Sequence, residues 1–377
     1  MRQLNEYIVQ PGDTIYSIAR KHGMTTRQLV SVNPGITERA LVIGETVQLP
    51  PFPQGRPAIE TNGYVYPDVD EAYLREVLPY LTYLSIIGGR ITLSGHLVGV
   101  NNMQMIETAR QFKVAPMLVV SNTSEDGLYS SALVHAVLGN PATRQMLISE
   151  IVAAVSENNY YGANIDFEFV TPENFPAYIS FIQELEDMLH AQNHQMFIVV
   201  RIITILSQES ALAQLLPAAE YETLADRFLI RTNEWACNVN LEAPVLDLAQ
   251  QAMDFSTELV PEWKLIIGVP NCCFYSQPLA QPQTSPALLT IAEAERLAAQ
   301  VGASFQMDSR TGTMYFSYTD TMGNETIVWC ANRCTSQSIL ELVRIYGLGG
   351  VSFRTIEDFP ITDYQSLNAM FNIRKVM

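Results

Sequence analysis

The residues best suited to do chemistry in this chain are Asp166 and Glu168, two positions apart inside the apolar and aromatic run Tyr160–Val170. The alternation of that run predicts a buried strand, and a period of two places Asn164, Asp166 and Glu168 on one face. A buried strand rarely carries two carboxylates on one face, because each unpaired charge there costs several kcal/mol. One interpretation is a structural salt-bridge ladder. The other, which we favour, is a paired acid site at the mouth of a barrel.

The spacing of the two acids suits acid–base catalysis. Side chains two positions apart on a strand lie about 6.5 Å apart at the backbone, so both can reach one cluster of substrate atoms. A carboxyl group beside a carboxylate keeps its proton to a higher pH, which suits a general acid that works near neutrality. The opposite face of the strand is predicted to pack against covering helices through Ala163, Ile165, Phe167 and Phe169.

The body of the chain, residues 59–377, must position these acids. It alternates β-rich apolar runs with amphipathic stretches, a pattern that predicts a parallel α/β protein. Eight such runs over this length predict a (β/α)₈ TIM barrel. The predicted barrel strands are Thr61–Tyr66, Tyr83–Ile87, Val114–Ser121, Gly162–Phe169, Met196–Ile203, Arg227–Thr232, Leu265–Val269 and Gly350–Arg354. Between the last two, antiparallel strands are predicted at Ser304–Met307, Thr313–Tyr318 and Thr326–Trp329.

Residues 1–50 are predicted to form a separate small module with the order β-α-α-β. Its first helix is predicted over Thr14–Lys21, with Asp13 as the N-cap. A second helix is predicted from Thr26 to Val32. The proline-rich stretch 51–58 that follows is predicted to be a semi-rigid linker, which would hold the two domains close together.

Composition excludes some classes of partner. The chain has 377 residues, of which 48% are hydrophobic, enough for one large and one small core. Its net charge of −17, from 22 basic and 39 acidic residues, argues against nucleic acid or an anionic membrane surface as partner. We expect no signal peptide, because Met1–Glu6 leads directly into sequence typical of a folded module, and no apolar run of about 18 residues is present. We therefore expect synthesis in the cytoplasm and no membrane insertion, and the oligomeric state stays open.

The five cysteines predict neither a disulfide framework nor a metal site. Their number is odd, and Cys272 and Cys273 are adjacent. Cys330 and Cys334 lie four positions apart, with too few nearby histidines for zinc. We expect free thiols.

The first module closely resembles a LysM domain. The resemblance is carried by Gln10–Thr14, Ile18, Ala19, Leu29, Asn33 and Val47–Pro50. LysM domains bind glycans that contain N-acetylglucosamine, such as peptidoglycan and chitin, in a shallow groove between two loops. The resemblance implies that the groove here consists of Gly12, Asp13, Thr14, Ile15, Asn33, Pro34 and Gly35. The alternative is that Asp13 and Asn33 only cap helices, although the two roles are compatible.

The run around the acids resembles the signature strand of family 18 glycoside hydrolases, whose pattern is Asp-Gly-x-Asp-x-Asp-x-Glu. The aligned stretch here is Tyr161-Gly162-Ala163-Asn164-Ile165-Asp166-Phe167-Glu168. Its last two acids match, whereas Tyr161 and Asn164 occupy the first two Asp positions. Asn at the second position is similar to the spore-cortex N-acetylglucosaminidase branch, and further matches to that branch lie at 62–67, 78–85, 232–235 and 346–352. The resemblance also implies a small α+β insertion at about 275–332, which would wall one side of the cleft.

The resemblance implies hydrolysis of β-linked N-acetylhexosamine glycans, above all spore-cortex peptidoglycan, by a substrate-assisted retaining mechanism. Glu168 would protonate the glycosidic oxygen while the acetamide oxygen of the substrate attacks the anomeric carbon. Asp166 would orient the acetamide N–H, and Asn164 would position Asp166. The substrate subsite would be completed by Tyr64, Asn233, Glu234 and Trp235. No metal or organic cofactor is required, and the implied setting is the coat or cortex of an endospore-forming bacterium.

Arginines stand where the family pattern has other residues. Family members end the sixth strand with Met-x-Tyr, and here the stretch is Arg231-Thr232-Asn233; the Trp that floors the sugar subsite is replaced by Arg354. Arg90 and Arg201 are further candidates for the mouth. One interpretation is that Arg231 or Arg354 pairs with the acids, lowers a carboxyl pKa and leaves a non-catalytic glycan-binding protein. The other is that the arginines bind an anionic substituent of the glycan, such as a lactyl carboxylate.

Overall fold

Eight parallel strands close into a barrel in the computed structural model of this chain. The structure describes residues 5–22, 24–50, 55–171, 173–201, 222–232, 245–276, 288–308, 313–319, 323–331 and 333–377. The barrel strands are β3 (Ala58–Val65), β4 (Tyr83–Ile91), β6 (Ala115–Ser121), β7 (Gly162–Asp166), β8 (Gln195–Arg201), β9 (Arg227–Arg231), β10 (Leu265–Gly268) and β16 (Gly350–Phe353). The strand order is β3-β4-β6-β7-β8-β9-β10-β16, and β3 pairs with both β4 and β16, which closes the sheet. The predicted TIM barrel is thereby confirmed.

Within the described residues, helices lie between most successive barrel strands and cover the outside of the sheet. They begin where polar side chains can bond the first free N–H groups: Ser130 caps one helix, and Asn140 accepts a hydrogen bond from the Ala142 N–H at 2.9 Å before another. The helices of the body are α3 (Glu71–Val77), α4 (Met103–Gln111), α5 (Ser131–Leu138), α6 (Pro141–Glu157), α7 (Phe175–His190), α8 (Val245–Leu259), α9 (Ile291–Val301), α10 (Arg333–Tyr346) and α11 (Ile361–Met370). Two short strands extend the sheet, β5 (Leu97–Val98) beside β4 and β17 (Asn372–Ile373) beside β3.

The interior of the barrel has its own apolar cluster, separate from the large core between strands and helices. Tyr83, Met117 and Phe197 are fully or almost fully buried there. The rings of Tyr83 and Phe197 meet edge to face, with 4.8 Å between their centroids. Because this cluster fills the middle of the barrel, ligands can reach only its ends. We call the end formed by the C-terminal ends of the strands the mouth, and the opposite end the lower end.

The N-terminal module is a two-stranded antiparallel sheet packed against two helices. The elements are β1 (Asn5–Ile8), α1 (Ile15–Lys21), α2 (Thr26–Ser31) and β2 (Thr46–Leu49). The predicted N-cap of α1 is wrong: Thr14 Oγ1 accepts the Ser17 N–H at 2.9 Å, while Asp13 accepts the Gln10 N–H at 2.6 Å and the Tyr7 hydroxyl at 2.8 Å. Asp13 therefore closes the preceding turn and leaves the capping to Thr14.

The module contacts the lower end of the barrel. Gln28 Nε2 donates to the Ile345 carbonyl at 2.7 Å, and Arg27 pairs with Glu262 at 3.0 Å. Ile345 lies near the end of the helix before β16, and Glu262 lies just before β10, so both belong to the N-terminal ends of strands.

An insertion between β10 and β16 forms a second, five-stranded antiparallel sheet. Its strands are β11 (Cys272–Ser276), β12 (Leu288–Thr290), β13 (Gln306–Met307), β14 (Met314–Thr319) and β15 (Glu325–Cys330), in the order β12-β11-β15-β14-β13. The expectation of free thiols is wrong for two cysteines, because Cys273 and Cys330 form a disulfide. They are direct partners on the neighbouring strands β11 and β15 although 57 positions separate them, a proximity that sequence spacing cannot show.

Candidate active site

The acid pair, Asp166 and Glu168, lies at the mouth end of β7. The strand ends at Asp166, so its predicted extension to Phe169 is wrong. Phe169 adopts the left-handed backbone conformation, with φ of 56°, and the chain turns there. Phe167 still packs as predicted, stacked on Phe181 of α7 at 5.6 Å, whereas Phe169 is exposed at the mouth. Both acids are almost completely buried, 1% exposed for Asp166 and 5% for Glu168.

The position of the acid pair depends on a glycine at the start of β7 and on an asparagine after β6. Gly162 begins β7, and a Cβ there would lie 2.0 Å from the Gln195 carbonyl oxygen, so the strand pair requires glycine. Asn122 follows β6 and is fully buried; its Oδ1 accepts the Glu168 N–H at 2.8 Å and its Nδ2 donates to the Glu168 carbonyl at 2.9 Å. Because both backbone groups of Glu168 are bonded by one side chain, the acid has a defined position although it lies beyond the strand.

Three guanidinium groups, which we call the mouth arginines, contact the acid pair. Arg231 ends β9 and bonds both acids, with Asp166 Oδ2 at 2.5 Å and Glu168 Oε1 closer still. Arg354 follows β16 and lies 3.0 Å from Asp166 Oδ2. Arg201 ends β8 and lies 3.4 Å from Glu168 Oε2. The predicted pairing of arginines with the acids is therefore present in the structure.

Tyr129 is a further member of the site that the sequence did not reveal. Its hydroxyl donates to Asp166 Oδ2 at 2.8 Å and accepts from Arg231 Nη2 at 3.0 Å and Arg354 Nη2 at 3.2 Å. It lies on a short loop after β6, where a β-bridge joins Tyr129 to Thr123. The only local signal was an aromatic residue in a polar loop, which does not show that the loop folds over the mouth.

Arginine contacts decide the charge of Asp166. Burial by itself raises the pKa of Asp166, but the charges of Arg231 and Arg354 and the hydrogen bond from Tyr129 outweigh it and lower the pKa below its usual value. Asp166 is therefore a carboxylate at neutral pH. Burial likewise raises the pKa of Tyr129, so its hydroxyl keeps the proton that it donates.

Two buried oxygen atoms on the same face of β7 accept no hydrogen bond. They are Asp166 Oδ1 and Asn164 Oδ1. Asp166 bonds its three donors through Oδ2 alone, and the amide nitrogen of Asn164 donates to Tyr64 Oη at 2.9 Å and Ser85 Oγ at 3.1 Å. A buried acceptor without a donor is costly, and such atoms commonly mark places where water or a ligand binds.

Each mouth arginine lies over an aromatic ring. The guanidinium carbon of Arg354 is 4.7 Å from the centre of the Tyr64 ring, that of Arg231 is 5.5 Å from Tyr129, and that of Arg201 is 5.6 Å from Phe169. Cation–π contacts of this kind fix the plane of a guanidinium group. Tyr64 is thus a buried support beneath Arg354 and a partner of Asn164, with 3% of its surface exposed.

The space beneath the mouth arginines is too small for a sugar. The cavity there measures about 20 Å³, enough for one water molecule, and is lined by Tyr64, Val199, Leu229, Ile230, Arg231, Gly268, Ser352 and Arg354. A ligand larger than water that meets the acid pair has to lie on the outer side of the mouth. Among the residues that the structure describes, no group of three or more His, Cys, Asp or Glu side chains is arranged to hold a metal ion. Within the same residues, no helix combines the length and the apolar character needed to span a membrane.

The predicted site residues of the body fall into two groups. Barrel closure brings together Tyr64, Asn164, Asp166, Glu168, Arg231 and Arg354, which come from β3, β7, β9 and the end of β16. Asn233, Glu234 and Trp235 lie outside the described residues. Of the two further candidates, Arg201 lies at the mouth, and Arg90 donates to the Ser124 carbonyl at 3.4 Å on the loop that carries Tyr129.

The groove residues predicted for the N-terminal module lie on two loops. Gly12, Thr14, Pro34 and Gly35 are exposed, whereas Asp13, Ile15 and Asn33 are half-buried. Asn33 bonds the Leu29 carbonyl at 2.7 Å and both backbone groups of Gln48, so it joins the end of α2 to β2. The structural role suggested for Asn33 is therefore present, and a glycan contact is compatible with it.

Sequence comparison assigns both parts of the chain to families. The profile of the LysM domain matches residues 7–50, and that of Glycosyl hydrolases family 18 matches residues 78–357, more than half of the chain. The chain belongs to glycoside hydrolase family 18. The resemblances inferred from the sequence are thus confirmed for both modules.

Curated proteins of Bacillus subtilis and a solved structure match almost the whole chain. The chain is 28% identical to the provisionally named sporulation-specific glycosylase YdhD of Bacillus subtilis (strain 168), over 98% of this chain and 88% of that protein. It is 26% identical to the cortical fragment-lytic enzyme of Bacillus subtilis (strain 168), over 98% of both chains. The crystal structure of the Bacillus cereus spore cortex-lytic enzyme SleL has the same fold, with a TM-score of 0.70 and 22% identity over 98% of this chain and 87% of that one.

Proposed function

We propose that this chain hydrolyses β-linked N-acetylhexosamine glycans of peptidoglycan, with spore cortex as the source. The observation that carries the proposal is the state of Asp166, an ionised carboxylate with one buried oxygen atom that accepts no hydrogen bond, next to a second acid at the mouth of a TIM barrel. Enzymes of this fold have their active sites at that end. An N-acetyl group supplies the N–H donor that Asp166 Oδ1 lacks.

The proposed reaction uses the acetamide group of the substrate as nucleophile. Glu168 transfers its proton to the glycosidic oxygen, the bond from that oxygen to the anomeric carbon breaks, and the acetamide oxygen bonds to the same carbon. Asp166 accepts a hydrogen bond from the acetamide N–H and stabilises the positive charge of the cyclic intermediate. Water then attacks the anomeric carbon, opens the ring and returns a proton to Glu168. Asn164 acts on Asp166 indirectly. It donates to Tyr64 Oη, the Tyr64 ring lies against Arg354, and Arg354 bonds Asp166.

A second candidate function is glycan binding without turnover. It is favoured by the contacts of Glu168 with Arg231 and Arg201, because neighbouring cations favour a carboxylate over the protonated acid that the first step needs. Under this alternative the acid pair and the mouth arginines form a fixed ionic floor for a bound glycan.

The substrate and the location are inferred from the relatives and from the LysM domain. The relatives carry the names cortical fragment-lytic enzyme and sporulation-specific glycosylase, and they match almost the whole chain. LysM domains bind glycans that contain N-acetylglucosamine, and peptidoglycan contains both this sugar and muramic acid. We therefore place the protein in the spore coat or cortex, bound to peptidoglycan or its fragments.

The first test is the Glu168→Gln variant. If Glu168 is the general acid, release of new reducing ends from cortex fragments or chitooligosaccharides should fall at least about 10²-fold, since general acid catalysis contributes that much or more. Glu295→Gln is the matched control, because Glu295 is exposed on the α9 helix of the insertion. Equal release by wild type and Glu168→Gln would refute the assignment, and no release by wild type under conditions where it binds the glycan would establish the binding-only alternative.

A further inference from the structure

The described part of the mouth gathers three guanidinium groups around the acid pair. Among the described acids, the mouth arginines contact Asp166 and Glu168. The chain as a whole has a net charge of −17, so a cluster of arginines is a local departure from its acidic composition. Guanidinium groups that are brought together in a recess are suited to bind the anionic group of a ligand.

Exposure separates the mouth arginines by role. The side chain of Arg231 is 6% exposed and bonds both acids, so it belongs to the floor of the site. The side chains of Arg354 and Arg201 are 21% and 17% exposed. They follow or end strands on either side of β9, and therefore flank the floor and reach the surface that a glycan must occupy.

Preorganisation distinguishes these two arginines from ordinary surface cations. Arg354 is fixed from below by the Tyr64 ring and from the side by Asp166 and Tyr129. Arg201 is fixed by the Phe169 ring, which is itself placed by the turn after β7. A guanidinium group held in one plane binds a carboxylate with little further loss of side-chain entropy, and its fork-shaped donor geometry matches that of a carboxylate.

We infer that the mouth binds a carboxylate carried by the glycan, with Arg354 as the main contact and Arg201 as the second. The inference deepens the proposed function and rests on it for the identity of the ligand as an N-acetylhexosamine glycan. The ligand class is a glycan with an acidic sugar beside N-acetylglucosamine, as in muramic acid with its free lactyl group. Neutral chitin-type chains lack the group that these arginines recognise.

Binding of an anion at Arg354 is compatible with the contacts that Arg354 already makes. A buried guanidinium group gains by bonding an anion, and Asp166 already shares its Oδ2 atom between Arg354 and Arg231. An incoming carboxylate can take over part of this contact without leaving a buried cation unpaired.

The experiment compares matched glycans that resist hydrolysis. Three thioglycosidic tetrasaccharides are titrated calorimetrically into the full chain: an N-acetylglucosamine tetramer, an alternating N-acetylglucosamine–muramic acid tetramer, and the methyl ester of the latter. The acid should bind about tenfold or more tightly than its ester, the size of one charge-assisted hydrogen bond, and the ratio should shrink with added salt. The ester isolates the carboxylate, because it keeps the shape of the ligand and its contacts with the LysM domain.

The variants Arg354→Gln and Arg201→Gln locate the contact. Arg354→Gln should weaken binding of the acid at least about tenfold more than binding of the ester or of the neutral tetramer, and Arg201→Gln should reduce the preference for the acid in part. Arg374→Gln is the matched control, since Arg374 also contacts a buried glutamate but lies at the lower end. Equal affinity of acid and ester, or an unchanged preference in both mouth variants, would overturn the inference.

A purely structural role for Arg354 gives a different result. The variant would then melt at a lower temperature and lose affinity for all three ligands alike, because a buried carboxylate loses its partner. That result also overturns the inference, and Arg201→Gln provides an independent test if Arg354→Gln does not fold. The acid-to-ester ratio is measured on the wild-type chain with glycans that resist hydrolysis, and turnover is measured separately with Glu168→Gln, so failure of the proposed function and failure of this inference are distinguishable.

Discussion

Each end of the barrel contains a buried acid that is paired with arginine. The two pairs differ in how many oxygen atoms of the acid accept hydrogen bonds. At the lower end, Arg227 bonds both oxygens of Glu60, with Nε to Oε2 at 2.6 Å and Nη2 to Oε1 at 2.7 Å. At the mouth, Asp166 receives its donors on Oδ2, while Oδ1 has none. Both carboxylate oxygens of Glu60 therefore accept hydrogen bonds, whereas only one carboxylate oxygen of Asp166 does.

The surroundings follow the same division. Arg227 lies under the Trp263 ring at 5.0 Å, and Arg374 from the C-terminal segment approaches Glu60 at 3.4 Å, so the lower end is closed by protein. At the mouth, the arginines rest on aromatic rings from below and two of them reach the surface. A saturated buried network contributes rigidity, whereas an unsaturated one at the mouth of a TIM barrel costs stability and is retained where a ligand completes it.

The largest expected effect sets Arg227→Gln against Arg231→Gln. Removing Arg227 leaves Glu60 buried with the mostly exposed Arg374 as its nearby cation and the Tyr83 hydroxyl as a neutral partner, so the free energy of unfolding should fall by about 3–5 kcal/mol. Removing Arg231 should cost clearly less, because Asp166 keeps Arg354 and Tyr129, and Glu168 keeps Arg201. Urea denaturation at pH 7 measures both values.

Arg374→Gln serves as the control for the lower end. Its side chain is 54% exposed, so its loss should cost no more than about 1 kcal/mol. If Arg231→Gln destabilised the protein as much as Arg227→Gln, the mouth would be a structural ion cluster like the lower one, and the comparison would fail.

The next effect concerns the LysM domain, which contacts the lower end. Deleting residues 1–54 should weaken binding to insoluble peptidoglycan at least about tenfold, because two linked binding sites act together on a polymer. Binding and hydrolysis of a short soluble tetrasaccharide should change little, because the mouth lies at the opposite end of the barrel from Glu262 and Ile345. Pull-down and calorimetry measure the two properties. Unchanged pull-down would show that the barrel alone anchors the protein.

The smallest effect is a pH dependence confined to the lower end. His190 lies 2.9 Å from Asp226 and 3.0 Å from Glu186; burial lowers the pKa of His190, but these two acids outweigh it and raise the pKa above 6.5. A raised pKa means that the stabilisation is fully present below about pH 6.5 and is lost as the pH rises through the higher folded value. His190 is 40% exposed, so the contribution is small and sensitive to salt.

The variant His190→Gln isolates this contribution. The melting temperature is measured between about pH 6 and about pH 9, a range that starts near the ordinary pKa of histidine. Over this range the melting temperature of His190→Gln should decline less than that of wild type. His194→Gln, on the loop that follows the same helix, is the control and should follow the wild-type curve. Identical slopes for wild type and His190→Gln would show that the pair with Asp226 and Glu186 adds nothing to stability.

Sequence patterns were sufficient to predict the barrel, the LysM domain and the acid pair. Period-two apolar runs predict strands because a strand exposes alternate side chains to opposite layers, and eight runs separated by amphipathic stretches leave few other folds. Asp166 and Glu168 were found because two acids in such a run contradict its burial. Each predicted strand, and the acid pair itself, is visible in one short continuous stretch of the chain.

The remaining contacts of the site form only when the barrel closes. Asn122 clamps Glu168 from 46 positions away, Tyr129 meets Arg354 across 225, and Cys273 reaches Cys330 across 57. Barrel closure and sheet pairing create these contacts, and neither periodicity nor spacing along the chain encodes which side chains then face each other. The charge of Asp166 is likewise a tertiary property, since it depends on whether guanidinium groups from β9 and the end of β16 arrive within hydrogen-bonding distance.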